Sequence, residues 1–291
     1  MVKRIVLIVL LAVVFSGVEV ATAAKSSKKK SKKDKTSKIS VLETKVAELE
    51  SKVDELQNPW EPKNLAVDLD FTFVSKYIWR GYNVFGSKGA FQPSVNLDLG
   101  TGWSVNVWGS IPMGTATGIN QWQEYDYTVA YGWSWFEDSP LAMDFGVNYI
   151  YYDFPKLNRF ADTQEVGMSV ALPNLINISD IAVVPSYYVG KLFPTKSGVG
   201  GAGGFHTFAL SCDLPIPSTE QTLSFYGDLN YTDGMLGVGH DLTHGTIGVS
   251  TSFDVKGITI TPSLNYQGVM NDMDDALENA LWGGLSLAYS F

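Results

Sequence analysis

Nine carboxylates stand on segments whose alternate residues are apolar: Asp68, Asp70, Asp98, Glu124, Asp126, Asp144, Glu165, Asp213 and Asp228. Side chains of a β-strand alternate between two faces, so each acid shares a face with Ser, Thr, Asn or Gly and opposes a greasy one. Lys76 and Arg80 are the main cations expected on that polar face, both late in the first segment. If the polar faces converge on a bore, the carboxylates favour cations within it. Small residues there, such as Gly146, Gly167, Ala209, Gly248 and Gly284, would leave room for water. Two outcomes remain open: a narrow, water-filled, cation-leaning channel, or a lumen filled by side chains in which Asp and Arg pair off.

Catalytic patterns are sparse. The histidines are His206, His240 and His244. His206 shares a face with Phe208 and Leu210, Ser211 faces the other way, and no GxSxG pattern occurs. His240 and His244 could hold a metal together only on a helix, which the surrounding glycines disfavour. Met270–Glu278 spaces its acids loosely like a calcium loop but lacks that motif's glycine and terminal glutamate. No cofactor or metal is expected. Cys212 is the sole cysteine, so no intramolecular disulfide forms, and in a strand-like stretch it reads as a small apolar filler.

The elements that must position the carboxylates are strands. Leu65, Val67, Leu69, Phe71 and Phe73 alternate with Ala66, Asp68, Asp70 and Thr72. Comparable runs follow near residues 91–99, 103–111, 124–131, 141–151, 165–172, 181–189, 207–214, 223–231, 246–253, 258–266 and 281–291. The expected count is therefore about twelve, with Pro93, Pro185 and Pro262 expected to cause bulges or breaks. Connections after odd strands are mostly long and rich in Gly, Asn and Asp; those after even strands are shorter or Pro-rich. An even count with alternating loop lengths predicts an all-β fold, a closed antiparallel transmembrane β-barrel. Tyr77, Trp79, Trp103, Trp122, Trp133, Trp135, Tyr151, Tyr152 and Tyr231 fall near strand ends, as interfacial girdles would.

Upstream, Lys3 and Arg4 precede an apolar run from Ile5 to Phe15, and Ala21-Thr22-Ala23 offers a cleavage site, so residues 1–24 read as an export signal. No Cys follows the apolar run, which excludes a lipoprotein, and no later stretch is apolar enough for a membrane-spanning helix. Residues 25–38 hold eight lysines and one acid and are expected to be disordered. The whole chain nonetheless carries a net charge of −9, so the remainder is strongly acidic. Nucleic acid is not an expected partner, because the chain is exported and no aromatic residue interleaves the lysines. Residues 39–57 place Ile39, Val46 and Val53 at heptad a positions and Leu42, Leu49 and Leu56 at d positions. That stripe predicts a short coiled-coil helix and a homo-oligomer, dimer or trimer. Asn58-Pro59 ends it. The domain reading is thus signal 1–24, basic arm 25–38, coiled coil 39–57 and barrel 64–291.

The last strand closes the sheet. Leu281, Leu285, Leu287, Tyr289 and Phe291 share a face that nothing follows to cover. Pairing with the matching greasy face at Leu69 and Phe71 would leave no edge. A terminal Phe with Tyr two residues earlier resembles the closing strand of bacterial outer-membrane barrels. The run Val74-Ser75-Lys76-Tyr77-Ile78-Trp79-Arg80-Gly81 resembles the VSDYxFRG-like motif of the TorF-type porin family, uncharacterised proteobacterial outer-membrane proteins; here Lys76 replaces Asp and Trp79 replaces Phe. The resemblance covers the body from about residue 64, and implies a barrel of transport function with no known solute. The expected function is an outer-membrane, porin-like channel of a Gram-negative bacterium. Its solutes would be small and hydrophilic or cationic, its termini periplasmic, and its partners membrane lipid. The alternatives are a barrel tethering the outer membrane to peptidoglycan or another periplasmic partner, and a barrel-embedded hydrolase. Arg80 is expected to pair near Asp68 or Asp70, or to anchor a loop.

Overall fold

The computed structural model describes residues 44–46, 65–114, 122–157, 161–179, 181–195, 202–217, 219, 221–271 and 277–291. Two compact units divide the chain, Met1–Glu61 and Pro62–Phe291. In the first, residues 44–46 form a helical turn. Val46 lies in it and is exposed; Ile39, Leu42, Leu49, Val53 and Leu56 lie outside the described residues, as do the export signal and the lysine arm. The single described turn does not support the expected coiled coil.

The second unit is built from strands β1 (Ala66–Val74), β2 (Ile78–Trp79), β3 (Tyr82–Asn83), β4 (Ala90–Asp98), β5 (Trp103–Pro112), β6 (Glu124–Trp135), β7 (Met143–Asp153) and β8 (Thr163–Ala171). Then follow β9 (Ile176–Ile178), β10 (Ile181–Pro194), β11 (Gly203–Pro215), β12 (Thr222–Asp233), β13 (His240–Thr251), β14 (Phe253–Val255), β15 (Ile258–Val269) and β16 (Ala280–Ser290). Twelve of them form one antiparallel ring in the order β1, β4, β5, β6, β7, β8, β10, β11, β12, β13, β15, β16 and back to β1. β9 and β14 extend two turns, and β2–β3 is a separate hairpin. The predicted strand count is therefore met.

Closure occurs at the seam the sequence named. Leu69 pairs with Tyr289, Phe71 with Leu287 and Phe73 with Leu285. Phe71, Phe73, Leu285 and Tyr289 are exposed on the outer face. On the inner face Asp68 accepts from Ser290 (2.7 Å) and Asn96 (3.3 Å), while Asp70 accepts from Thr72 (2.6 Å) and Ser286. Successive seam rungs thus alternate between apolar pairs outside and polar or small pairs inside, such as Asp68–Ser290 and Thr72–Ser286, the alternation that fixes register. Val95, Val105, Val107, Val129, Phe208, Leu210, Ile247 and Leu264 continue the exposed apolar surface around the ring.

Pro93 and Pro262 each interrupt pairing on one side without shifting register, whereas Pro185 pairs in step with Leu210 of β11. Pairing of β4 with β5 skips Gln92 and Pro93 yet resumes in step at Ser94–Trp108. The β13/β14 pairing with β15 likewise breaks opposite Pro262 and resumes at Phe253–Ile260. The register shift between β12 and β13 has another cause: Thr243 is an extra residue beside Asn230 and Tyr231, and its hydroxyl donates to the Asn230 carbonyl at 3.1 Å.

Loop lengths alternate in the first half, where residues 75–89 and 113–123 contrast with 99–102 and 136–142, and even out later, where 216–221 and 234–239 are equally short. Lys256 and Gly257, both at positive φ, make the two-residue turn between β14 and β15. Near the short-turn end, Trp103, Tyr131, Trp133, Trp135 and Phe145 form a ring-to-ring cluster, of which Trp103 and Trp135 are exposed. Tyr77, Trp79 and Tyr152 are not girdle residues. Tyr77 and Tyr152 are buried, and Trp79 packs on Tyr152, for the reason given next. Among the described residues, no helix is long and apolar enough to cross a membrane.

Candidate functional site

β1 ends at Val74, so Lys76 and Arg80 do not project from it as the sequence suggested. The chain from Ser75 to Gly89 instead folds inward as the β2–β3 hairpin. Its two-residue turn is Arg80-Gly81, with φ of 48° and 90°. Glycine takes that conformation freely; an arginine does so at a cost of order 1–3 kcal/mol, which the contacts of its side chain must offset.

Those contacts span the bore. Arg80 Nη2 donates to Glu165 Oε2 (2.5 Å) on β8 and to the Tyr152 hydroxyl (3.3 Å) on β7. Its guanidinium lies 3.4 Å from the centre of the Phe205 ring on β11 and 4.8 Å from that of Trp79. Glu165 is fully buried and also accepts from Tyr152 (2.7 Å) and Tyr188. Tyr77 donates to Glu124 Oε2 at 2.8 Å on β6. Across the ring, Gln267 of β15 donates to the Gly81 carbonyl at 2.9 Å, and Gly81 abuts His244 of β13. β6 and β13 stand six places apart in a ring of twelve, hence on opposite walls. Below the hairpin, Phe85 is wholly buried against Tyr77, Ala90 and Trp108. The hairpin therefore crosses the lumen as a strut.

Burial raises the Tyr77 hydroxyl pKa well above its usual value, with the Glu124 and Asp126 carboxyls adding to it. The hydroxyl thus stays a donor. An outer latch ties the strut to the loop before β16: Glu278 accepts from Asn83 (2.5 Å) and Lys76 (3.3 Å). The Asn83 hydrogen bond, more than Lys76, holds the Glu278 carboxyl below its ordinary 4.5. A folded value below the unfolded one means the latch is at full strength above the ordinary carboxylate range and is lost as pH falls through the lowered value. Acidification there should raise protease cleavage of the loop around Leu277, modestly because Glu278 is largely exposed. Glu278→Gln should flatten that dependence, and an unchanged pH profile in the variant would refute the assignment.

The bore is acidic. Lys191 is the one Lys or Arg within the twelve ring strands, and it alternates to the outer face between Val189 and the rim. All nine predicted carboxylates fall on the inward register. Their partners are mostly neutral donors: Asp144 takes Ser134 (2.5 Å), and Asp228 takes Tyr226 (2.6 Å), Asn230 (2.7 Å) and the Thr246 amide (2.9 Å). Asp98 binds the Gly100 amide in a turn. Asp126 Oδ1 is buried without a hydrogen-bond partner.

Residues 58–277 match the model of a family described as a bacterial protein of unknown function, Gcw_chp. The chain belongs to the Gcw_chp family. Among solved structures, the COG4313 outer membrane channel from Pseudomonas putida F1 is similar at 10% identity, covering 78% of this chain and 95% of that one, with a TM-score of 0.49. The KdgM porin (11% identity, 77% and 99% covered, TM-score 0.45) and the NanC porin (10%, 77% and 98%, 0.46) are also similar. No curated protein matches the chain. The TorF-type name suggested by the first and last strands is not the one the family model carries.

In this Gcw_chp barrel several expectations need correcting. Of the two roles expected for Arg80, pairing with Asp68 or Asp70 does not occur, because the hairpin carries it away from β1; its bond to Glu165 anchors the loop instead. Gly167 does not simply leave space for water: a side chain there would collide with Tyr188, which fills the gap to reach Glu165. The histidines do not converge. His206 bonds Tyr187 on the outer face, His240 bonds Asp233 at the rim (2.6 Å), and His244 lies under the strut beside Thr243. Residues 272–276 of the calcium-like loop lie outside the described residues. Sequence reasoning missed Gln267, Tyr188, Phe205 and Glu278 as strut contacts. The available signal was the aromatic content of the first loop, since Tyr77, Trp79 and Phe85 are too apolar for a connection left in water.

Proposed function

We propose that this protein is an outer-membrane channel for small hydrophilic or cationic solutes, constricted by the strut that Arg80 anchors. The observation that carries the reading is the inward face itself: nine carboxylates, and no Lys or Arg on the described ring strands facing the bore. Glu165 is neutralised by Arg80, but the hydrogen-bond donors to Asp68, Asp70, Asp144 and Asp228 are uncharged, so the field that repels anions and attracts cations is cancelled only at the strut. A ring of twelve is wider than the eight-stranded size that side chains fill, so a bore is available for a strut to narrow. The apolar outer surface suits lipid. The long loops would then face outward and the short turns the periplasm, where the basic arm would also lie.

Planar-bilayer recordings test this. Small unitary conductance is expected, with reversal potentials displaced toward the cation under a salt gradient. Asp144→Asn, which removes an exposed inward carboxylate while keeping its shape, should reduce the displacement. Anion preference, or no conductance with or without the strut intact, would defeat the reading.

A further inference from the structure

A cavity of about 510 Å³ lies beside the strut at the long-loop end. Five rings line it, Trp79, Tyr82, Trp122, Tyr152 and Phe154, and Glu124 supplies a carboxyl. The rings meet one another: Trp122 lies edge-on to Phe154 at 6.1 Å, and Trp79 edge-on to Tyr152 at 6.0 Å. Trp122, at the long-loop end of β6, is exposed. Its size is in the range of small-ligand sites, and its mixture of aromatic walls with few polar groups is typical of them.

The chemistry of the walls narrows the ligand. Aromatic faces carry negative potential and attract cations. Glu124 is buried, accepts from Tyr77, and has no ion pair among the described residues. Arg80 is bonded to Glu165 instead. The next inward residue, Asp126, has a buried oxygen without a partner. The nearest cation, Arg80, is committed to Glu165, so an incoming cation would supply the close counter-charge that an ionised Glu124 needs in this buried setting. An anion would meet the Glu124 carboxyl, and a neutral apolar molecule would gain nothing from it.

We propose that this cavity recognises small organic cations, amines or quaternary ammonium groups on an apolar body. Their capture at the mouth as transported solutes rests on the channel reading; their binding does not.

Titration of the full-length detergent-folded protein with benzyltrimethylammonium, read by tryptophan fluorescence and calorimetry, tests it. Benzyl alcohol and phenylacetate serve as the neutral and anionic comparisons. The cation should bind saturably, and both comparisons at least about tenfold more weakly. Glu124→Gln, which preserves the acceptor for Tyr77, should weaken the cation about tenfold. Trp122→Ala, at the exposed rim, should weaken it in a barrel of unchanged heat-modifiable mobility. Equal binding of the three probes, absence of saturable binding, or unchanged cation affinity in both variants would overturn the proposal. Binding without any conductance would instead overturn the channel reading alone. Cation-selective conductance without binding would overturn the cavity proposal and leave the channel standing.

Discussion

Replacing Arg80 by alanine should open the bore. The substitution removes one partner of a buried pair whose acceptor, Glu165, is fully buried, while Arg80 is 17% exposed. Loss of one partner from such a pair costs about 3 kcal/mol, because the remaining charge is left without compensation. That corresponds to roughly a hundredfold change in the ratio of docked to released hairpin. The stacking on Phe205 and Trp79 is lost at the same time. Unitary conductance of Arg80→Ala should therefore rise severalfold over the parent, with more frequent large openings. Arg80→Lys keeps the charge but not the planar fork and should fall between them. Adding Glu165→Gln to Arg80→Ala should recover part of the lost thermal stability, because the orphaned charge is gone, yet not the closed conductance. If Arg80→Ala loses stability while conducting like the parent, the hairpin is a structural brace and not the constriction.

The second large effect is expected at the seam. Leu285 is the central outward residue of β16, paired with Phe73 of β1 and Pro262 of β15. Arginine there should destabilise the folded barrel in lipid by about 2–4 kcal/mol, the range for a midplane position on a lipid-facing barrel surface. Leu281→Arg, one residue from the start of the same strand and on the same face, should cost about 0–1 kcal/mol, because near the interface the charge reaches water. Denaturant unfolding in vesicles measures both. Equal costs at the two positions, or none at Leu285, would mean that this face does not meet hydrocarbon.

The two experiments probe different parts of the molecule. The seam reports whether the ring is a membrane barrel, and the strut reports whether the hairpin constricts a pore. A barrel that passes the first test and conducts neither as the parent nor as Arg80→Ala would be an anchor, as the alternative of a tethered structural barrel requires.

Much of the ring was legible in the chain. Period-two alternation is a local property, so each strand announced itself, and pairing of Leu69 and Phe71 with Tyr289 and Leu287 followed from two unpartnered greasy faces. The parity that turns Asp68, Asp126 or Asp228 inward is likewise fixed once the outer face is known, because a one-residue slip would bury every acid in lipid. Pro93 and Pro262 were correctly read as interruptions, leaving gaps that keep the register because a missing donor removes a bond but adds no residue; Pro185, by contrast, pairs with Leu210 without a gap. The shift at Thr243 had no such marker.

What the sequence alone could not decide is where a loop goes. Ser75 to Gly89 reads as a connection, and its path depends on partners far along the chain: Glu124, Glu165, Phe205 and Gln267 lie 47 to 186 residues or so from the residues they meet. Only closure of the ring brings those walls to opposite sides of one bore, within reach of a single arginine. Thus local alternation determined a barrel with an acidic inside, while tertiary structure decided that the inside is crossed by a strut with an aromatic, carboxyl-bearing cavity beside it. The physical reason is range: side-chain alternation is written between neighbours, whereas Arg80 finds Glu165 only after twelve strands have closed.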